Sequence, residues 1–265
     1  MSKLRVEGHR GCMTSFTENS IDAFLDADRL GLDGIEFDTW LTKDGVAVIF
    51  HGKSDFGLET LYSLERNRLE PVFIPSLNAA ELQKFRLERS NNKVPLFSDL
   101  MITLGHKQSK LALNIELKDY SYDLVEKISS HLDISPWKPK YQFSSFAHQT
   151  RAHLEKYAAK MGRKRSPFGY LSFNLSGNPK YEEIVQNFVE GDSFNLDIQF
   201  VLTDCQITKK LVSDLKKKGF GIKVYNLNVL EYLETPEIFE KIIAYGADTM
   251  ILNRPERLLH YNEKK

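Results

Sequence analysis

Two carboxylates lie close together in an apolar stretch of the sequence, at Glu36 and Asp38. The residues Ile35 and Phe37 predict a β-strand here, and successive side chains of a strand point to opposite faces. The two acids therefore share one face, about 7 Å apart by strand rise. Because like charges at this spacing repel unless a cation or proton lies between them, the pair is a candidate divalent-metal site. Glu116, in a second predicted strand, is the candidate third ligand.

Two of the seven histidines stand out because of the residues around them. His9 ends a predicted strand and is followed by Arg10, whose planar guanidinium matches phosphate oxygens, and by Gly11, which permits a tight turn. His51 ends the apolar run 46–50. Each could serve as an acid or base catalyst, or could instead be an ordinary core or surface histidine.

Lys118 lies two residues beyond Glu116, so both side chains point to the same face of the predicted strand. The cation could act beside a metal site. Alternatively, Glu36 and Asp38 could be buried acids paired with Lys118 or Arg10 in structural ion pairs, which also perturb buried carboxylates. The spacing alone leaves both interpretations open.

The elements that must position these residues alternate between strands and helices. Strands are predicted at 4–9, 34–40, 111–117, 141–146, 168–173, 194–200, 221–225 and 249–252. Helices are predicted at 20–30, 77–85, 122–132, 149–159, 181–189, 209–218 and 237–245. Eight such units in 265 residues favour an α/β fold, a (β/α)8 TIM barrel. An open doubly wound sheet is the alternative, but no Gly-rich phosphate-binding turn marks its switch point.

A small insertion after the second strand, at about 52–93, interrupts the alternation. The run 46–50 follows a turn at 43–45, which predicts a hairpin-like extension of that strand. The insertion itself is irregular, with one helix capped by Ser76, and the apolar triplet 72–74 is expected to pack it over the pocket. We expect residues 1–265 to form a single domain.

Composition limits the class of partner. The chain has 36 Lys plus Arg and 36 Asp plus Glu, so no overall field draws it to nucleic acid. Cys12 and Cys205 have no metal-binding spacing, and we expect reduced, buried thiols. Residues 1–6 contain no long apolar run, which predicts neither a signal peptide nor a transmembrane segment. A cytoplasmic protein is therefore expected.

The order of the short motifs is similar to that of the glycerophosphodiester phosphodiesterase family. The motifs are His-Arg-Gly at 9–11, Glu-Asn-Ser at 18–20, Gly-Ile-Glu-Phe-Asp at 34–38, the isolated His51 and Asn-Ile-Glu-Leu-Lys at 114–118. Phe-Ser-Ser-Phe at 143–146, and Gly-Ala-Asp at 246–248 followed by Arg-Pro at 254–255, are expected as further marks. The resemblance extends from about residue 6 to about residue 259.

This resemblance implies a hydrolase that converts glycerophosphodiesters to glycerol 3-phosphate and an alcohol. It implies that a divalent metal, Mg²⁺ or Ca²⁺, is held by the three acids Glu36, Asp38 and Glu116. His9 and His51 would be the catalytic acid and base, with the assignment between them open. The partner is then a small-molecule phosphodiester.

The resemblance also gives roles to the residues around the metal. Arg10 and Lys118 would supply fixed positive charge to the substrate phosphate, and Glu18 would position His9 or Arg10. Phe146 and Tyr225 would line the pocket, with Tyr225 standing where a Trp is expected. Two alternatives stay open: a lysophospholipase D-like enzyme on the same scaffold, and a barrel that binds a phosphodiester without turnover.

Overall fold

The computed structural model describes residues 3–52, 58–87, 90–172, 181–203, 206–226 and 231–265. Its strands are β1 Arg5–His9, β2 Gly34–Leu41, β3 Ala47–Ile49, β4 Leu58–Ser63, β5 Arg68–Phe73, β6 Phe85–Arg86, β7 Ala112–Leu117, β8 Tyr141–Ser145, β9 Phe168–Ser172, β10 Ser193–Asp197, β11 Gly221–Tyr225 and β12 Thr249–Leu252. Its α-helices are α1 Ile21–Arg29, α2 Ala79–Leu82, α3 Phe97–His106, α4 Tyr122–Ile134, α5 Arg151–Lys160, α6 Tyr181–Gln186, α7 Ile198–Leu202, α8 Gln206–Lys217, α9 Pro236–Tyr245 and α10 Pro255–Glu263.

The central sheet closes on itself. Among the described residues, eight parallel strands follow one another in the order β1, β2, β7, β8, β9, β10, β11 and β12, and β12 pairs with β1. Helices connect successive strands and cover the outside. This arrangement confirms the predicted (β/α)8 barrel. It also brings the carboxyl ends of all eight strands to one rim, where barrel chemistry takes place.

The structure confirms the predicted alternation of side chains along β2. Phe37 points outward into the layer between barrel and helices, where its ring lies 5.6 Å from that of Phe24 in α1 and 6.3 Å from that of Phe97 in α3. Helix α1 begins after Ser20, whose hydroxyl accepts the Ala23 N–H. The apolar layer outside the barrel therefore leaves the inner face of β2 to its acids.

The barrel interior below the rim is polar. Lys223 Nζ lies 2.6 Å from Glu7 Oε1, and both residues are buried. We call these two residues the lower pair. At Gly169 a Cβ atom would lie 2.5 Å from Gln142 Nε2 and 2.8 Å from Asn195 Nδ2, so a larger residue there would have to displace these two side-chain amides.

The insertion after the second barrel strand is more regular than the sequence suggests. Strands β4, β5 and β6 form a separate antiparallel sheet. The helix predicted at 77–85 is present but shorter, at Ala79–Leu82, and its cap is Asn78 rather than the predicted Ser76. Glu81 accepts the Asn78 N–H at 2.8 Å, which fixes this later start. A second apolar cluster, which includes Trp40, joins the insertion to the strand pair β2 and β3.

The apolar triplet packs as the alternation of a strand requires. Val72 and Ile74 are buried in that cluster, whereas Phe73 points away and is 44% exposed. The expected packing of the insertion is therefore correct for two of the three residues. Phe73 lies on the outer face of the small sheet, because its neighbours occupy the inner one.

Other differences concern helices near strand ends. The predicted strand 194–200 is wrong at its end, because Asp197 accepts the Gln199 N–H and starts α7. Helices α3 and α10 were not predicted.

Cys12 is a buried free thiol, as expected, and Cys205 lies outside the described residues. Across the described ranges, no helix has the length and apolarity needed to cross a membrane.

Candidate active site

Three carboxylates converge inside the carboxyl-terminal rim of the barrel. Glu36 and Asp38 project from β2, and Glu116 projects from the neighbouring strand β7 at the position paired with Asp38. One carboxylate oxygen from each lies within 4.8 Å of the others, and all three residues are at most 8% exposed. We call Glu36, Asp38 and Glu116 the carboxylate triad. The structure thus brings together the acids that the sequence placed on one face.

Two cations contact the carboxylate triad. Lys118 Nζ lies 2.7 Å from Glu116 Oε1 and 3.4 Å from Asp38 Oδ1. Arg10 Nε lies 3.4 Å from Asp38 Oδ2, and the Arg10 backbone N–H donates to Glu36 Oε2 at 3.1 Å. Three acids therefore face two cations in a buried site, and neither cationic side chain forms one of these ion pairs with Glu36.

The pKa values of the carboxylate triad reflect this imbalance. Burial, and then the charges of Asp38 and Glu116, raise the pKa of Glu36 well above its ordinary value. Burial likewise raises the pKa of Glu116. Burial alone would raise the pKa of Asp38, but Lys118, then His51 and then Arg10 lower it on balance. One carboxylate of the site is thus well stabilised in its charged form and two are not.

The donor set fits a divalent cation with hard oxygen ligands. Glu36 Oε1 is buried and has no hydrogen-bond partner, and such an orphaned acceptor is costly unless something binds it. Carboxylate oxygens are the ligands that Mg²⁺ and Ca²⁺ prefer. A bound cation would also remove the negative charge that Arg10 and Lys118 leave uncompensated.

The two predicted catalytic histidines, His9 and His51, both lie near the charged residues of the site. His9 Nε2 is 3.8 Å from Glu36 Oε2, and its Nδ1 is 2.7 Å from Asn253 Oδ1. Burial and then Arg10 lower the pKa of His9 to about 3. Burial also lowers the pKa of His51, against an upward effect of Asp38. Burial therefore favours neutral imidazoles at both positions.

The loop after β1 holds the site together through two residues with left-handed backbone. Arg10 has φ 53° and Asn19 has φ 55°, and the Asn19 N–H donates to the Arg10 carbonyl at 2.9 Å. The Asn19 side chain donates to Asp38 Oδ2 at 2.9 Å. Glu18 accepts two hydrogen bonds from Arg10 Nη1, at 2.9 and 3.0 Å. Of the two partners expected for Glu18, the structure places it on Arg10 rather than on His9.

A cleft of about 730 Å³ opens beside this loop. Its walls come from the loop after β1, from the segment around His51 and from the insertion, and they include Arg10, Phe16, Glu18, His51, Leu61 and Leu87. The insertion therefore forms one wall of the cleft, as expected for a segment that covers the pocket. A small ligand in the cleft would lie against Arg10 and His51.

Phe146 and Tyr225 form an aromatic wall on the other side of the rim. Their ring centroids are 6.2 Å apart at nearly right angles, and Lys118 Nζ lies 5.9 Å from the centroid of Phe146. The Tyr225 hydroxyl donates to the Ser172 carbonyl at 3.0 Å. Because this hydrogen bond engages the hydroxyl, Tyr225 presents mainly its aromatic ring to the pocket. Phe146 thus lies next to the carboxylate triad through Lys118, and Tyr225 lies against Phe146.

Asn19, Glu234 and Asn253 are site residues whose contacts the sequence reading did not identify. Asn253 contacts His9 across 244 positions of chain, and Glu234 contacts Asn253. One signal was available for Asn253, because it directly follows the last barrel strand, β12. Polar residues at that position of any barrel strand lie at the rim that holds the site.

Comparisons with known proteins agree with this architecture. The model of the glycerophosphoryl diester phosphodiesterase family matches residues 9–257. A glycerophosphodiester phosphodiesterase of Caldanaerobacter subterraneus is 25% identical over 271 residues, covering 99% of each chain. A human lysophospholipase D is 26% identical over 124 residues, which are 46% of this chain and 38% of the human protein. An Oleispira antarctica phosphodiesterase, solved with its product sn-glycerol 3-phosphate, superposes with a TM-score of 0.75 at 18% identity, covering 98% of this chain and 96% of that one.

Proposed function

Because the chain belongs to the glycerophosphoryl diester phosphodiesterase family, we propose that it hydrolyses small glycerophosphodiesters to glycerol 3-phosphate and an alcohol. The observation that carries this proposal is the carboxylate triad with its surplus negative charge, flanked by Arg10, Lys118 and two histidines. The product complex of the Oleispira antarctica phosphodiesterase supports the choice of a glycerol phosphate as product.

In this proposal Glu36, Asp38 and Glu116 would hold Mg²⁺ or Ca²⁺, which would supply Lewis-acid stabilisation of charge on the phosphate. Arg10 and Lys118 are already fixed by their ion pairs, so they bind the phosphate without reorganising. A diester gains negative charge as the fifth oxygen approaches phosphorus. Preorganised cations therefore stabilise the transition state more than the bound substrate.

The two histidines move the protons of the reaction. One takes a proton from the attacking oxygen, and the other gives a proton to the leaving alcohol oxygen as its bond to phosphorus breaks. If the attacking oxygen is that of water, this step gives glycerol 3-phosphate directly; if it is the neighbouring glycerol hydroxyl, the step gives a cyclic phosphate, which water then opens to glycerol 3-phosphate. Burial favours the neutral form of both imidazoles, so the one that acts as acid acquires its proton when the anionic substrate binds nearby. Within this scheme, removing His51 is expected to lower kcat by roughly a hundredfold.

A lysophospholipid is the second candidate substrate, because the insertion has an exposed apolar face. Leu69 and Phe73 are 46% and 44% exposed on the outer side of β5, and Phe16 is 40% exposed at the cleft. Such surface could accept an acyl chain. The match to a human lysophospholipase D over part of the chain points the same way.

The deciding experiment compares glycerophosphocholine with lysophosphatidylcholine below its micellar concentration, each with and without EDTA. We expect glycerol 3-phosphate from glycerophosphocholine, and loss of turnover in EDTA that excess divalent metal restores. A rate on the lipid about ten times that on the soluble diester, about 1.4 kcal/mol in transition-state binding, would reverse the order of the two substrates. Binding of both without turnover would identify a non-catalytic barrel.

A further inference from the structure

We infer that Glu234 and Asn253 position His9 for proton transfer by fixing it as the tautomer that carries hydrogen on Nδ1. The inference rests on the proposed function, in which His9 exchanges a proton with the substrate. Neither residue needs to touch the substrate, so both are positioning residues. Their contacts form one chain of hydrogen bonds from a buried carboxylate to the imidazole ring.

The chain starts at the Glu234 carboxylate, which is 1% exposed. Its Oε1 accepts from Asn226 Nδ2 at 3.0 Å, from the Asn253 backbone N–H at 3.0 Å and from Asn253 Nδ2 at 3.2 Å. Its Oε2 accepts the Arg254 N–H at 2.9 Å. Because four donors converge on it from two segments, the carboxylate fixes the loop after β12 against the loop after β11.

These acceptors determine which way the Asn253 amide points. Asn253 Nδ2 faces Glu234 Oε1 and, at 3.5 Å, the Asn226 carbonyl. Both of those groups can only accept hydrogen bonds, so the NH₂ side of the amide must face them. The reversed amide would oppose acceptor to acceptor at a buried site. Asn253 Oδ1 is therefore the atom that lies 2.7 Å from His9 Nδ1.

The orientation of the amide in turn determines the tautomer of His9. An amide oxygen cannot donate, so the short contact requires a hydrogen on His9 Nδ1. In the neutral ring the lone pair is then on Nε2, and Nε2 is the nitrogen that faces the carboxylate triad, 3.8 Å from Glu36 Oε2. The atom available to exchange a proton with a substrate is thus Nε2. Because Asn253 is uncharged, it fixes the tautomer without adding a further charge to the site.

The tautomer can be measured without any turnover. Long-range ¹H–¹⁵N spectra of the full chain with Mg²⁺, with His9 assigned by loss of its signals in His9→Gln, distinguish a protonated from an unprotonated ring nitrogen. We expect a protonated Nδ1 and an unprotonated Nε2 in the wild type. A hydrogen on Nε2 would overturn the inference. Because this readout needs no substrate, it separates a failure of the positioning role from a failure of the proposed function.

Kinetics then test whether the positioning matters. Asn253→Leu removes the acceptor at similar volume, and we expect kcat for glycerophosphocholine to fall about 10- to 100-fold, with KM changed less than about threefold. Asn253→Asp keeps an oxygen acceptor and shares one proton with Glu234, since two buried carboxyls this close do not both ionise. It should restore kcat to within about threefold of the wild type.

The matched control is Asn262→Leu. Asn262 also uses its amide to bond a backbone carbonyl, that of Leu4, but it lies in α10 and contacts none of the site residues described above. We expect it to keep the wild-type kcat. Equal losses in Asn262→Leu and Asn253→Leu, or an unchanged kcat in Asn253→Leu, would overturn the positioning role. Retained metal binding in Asn253→Leu, measured by calorimetry, excludes general collapse of the site as the cause of a loss.

Discussion

Two groups of buried charge share the interior of one barrel and differ in how they are balanced. The lower pair, Glu7 and Lys223, matches one acid with one base 2.6 Å apart. The carboxylate triad at the rim has three acids and only two contacting cations. Since an uncompensated buried charge costs several kcal/mol, the lower pair is self-sufficient, whereas the triad carries a surplus that a bound cation removes. Surplus charge, rather than burial, therefore marks the carboxylate triad as the candidate functional site and the lower pair as a structural ion pair.

The largest expected effect is a loss of activity when the carboxylate triad loses one of its acids. Glu116→Gln keeps the size of the side chain but removes one negative charge, and we expect kcat for glycerophosphocholine to fall by about 10⁴, or about 5.5 kcal/mol. Glu126→Gln makes the same chemical change at an acid paired with Lys160 on the surface, and it should leave kcat unchanged. Turnover within tenfold of the wild type in Glu116→Gln would remove this residue from the machinery.

The next effect concerns stability at the lower pair. Lys223→Met leaves Glu7 buried and unpaired, and we expect the free energy of unfolding to fall by about 3 kcal/mol. Urea unfolding monitored by circular dichroism measures this loss. The double variant Glu7→Gln with Lys223→Met removes both charges and should recover most of it. A double variant as unstable as the single one would show that packing, rather than charge balance, explains the effect.

The stabilisation caused by a divalent metal should depend on the carboxylate triad and not on the lower pair. At a divalent-metal concentration of 100 times Kd, binding to the folded state alone adds about 2.7 kcal/mol. For a chain of this size that corresponds to a rise in Tm of about 5 to 10 °C. The rise should be lost in Glu116→Gln and kept in the double variant of the lower pair. A shift of equal size in all three proteins would mean that the metal binds elsewhere.

Much of this arrangement could be predicted from the sequence because it depends on local periodicity. The alternation of Ile35, Glu36, Phe37 and Asp38 determines which side chains face the barrel interior, and the structure has them as predicted. Parallel pairing then brings Glu116 beside Asp38. The assignment of these residues to a metal, and of His9 to catalysis, stays a prediction, because it concerns a ligand rather than the chain.

What could not be predicted depends on long-range contacts or on competition between local signals. Asn253 and His9 are 244 positions apart, and only closure of the barrel by β12 and β1 brings them together. The stretch after Asp197 is apolar enough for a strand, but capping by the Asp197 side chain starts a helix there instead. In the insertion, apolar and charged residues alternate too irregularly to reveal a sheet whose inner face covers a second small core.

The smallest expected effect is a change in stability that should have opposite signs in the carboxylate triad and in the lower pair. Glu36→Gln should raise the free energy of unfolding of the metal-free protein by about 1 kcal/mol, because burial and the neighbouring carboxylates disfavour the charged form of this acid. The amide oxygen of Gln can still accept the Arg10 N–H that Glu36 accepts at 3.1 Å. Its NH₂ group can donate to a neighbouring carboxylate of the triad.

Glu7→Gln is the matched substitution in the lower pair, and there the same change of acid to amide should destabilise. The Lys223 ammonium lies 2.6 Å from the carboxylate that is lost. The substitution therefore leaves Lys223 as a buried charge without its partner. Thermal unfolding of both variants in EDTA measures the difference, with a rise in Tm of about 3 °C expected for Glu36→Gln and a fall for Glu7→Gln. If Glu7→Gln also raised Tm, burial alone would explain the cost of either acid; if Glu36→Gln lowered Tm, the charge of the triad would carry no cost. Either result would remove the distinction between balanced and surplus charge.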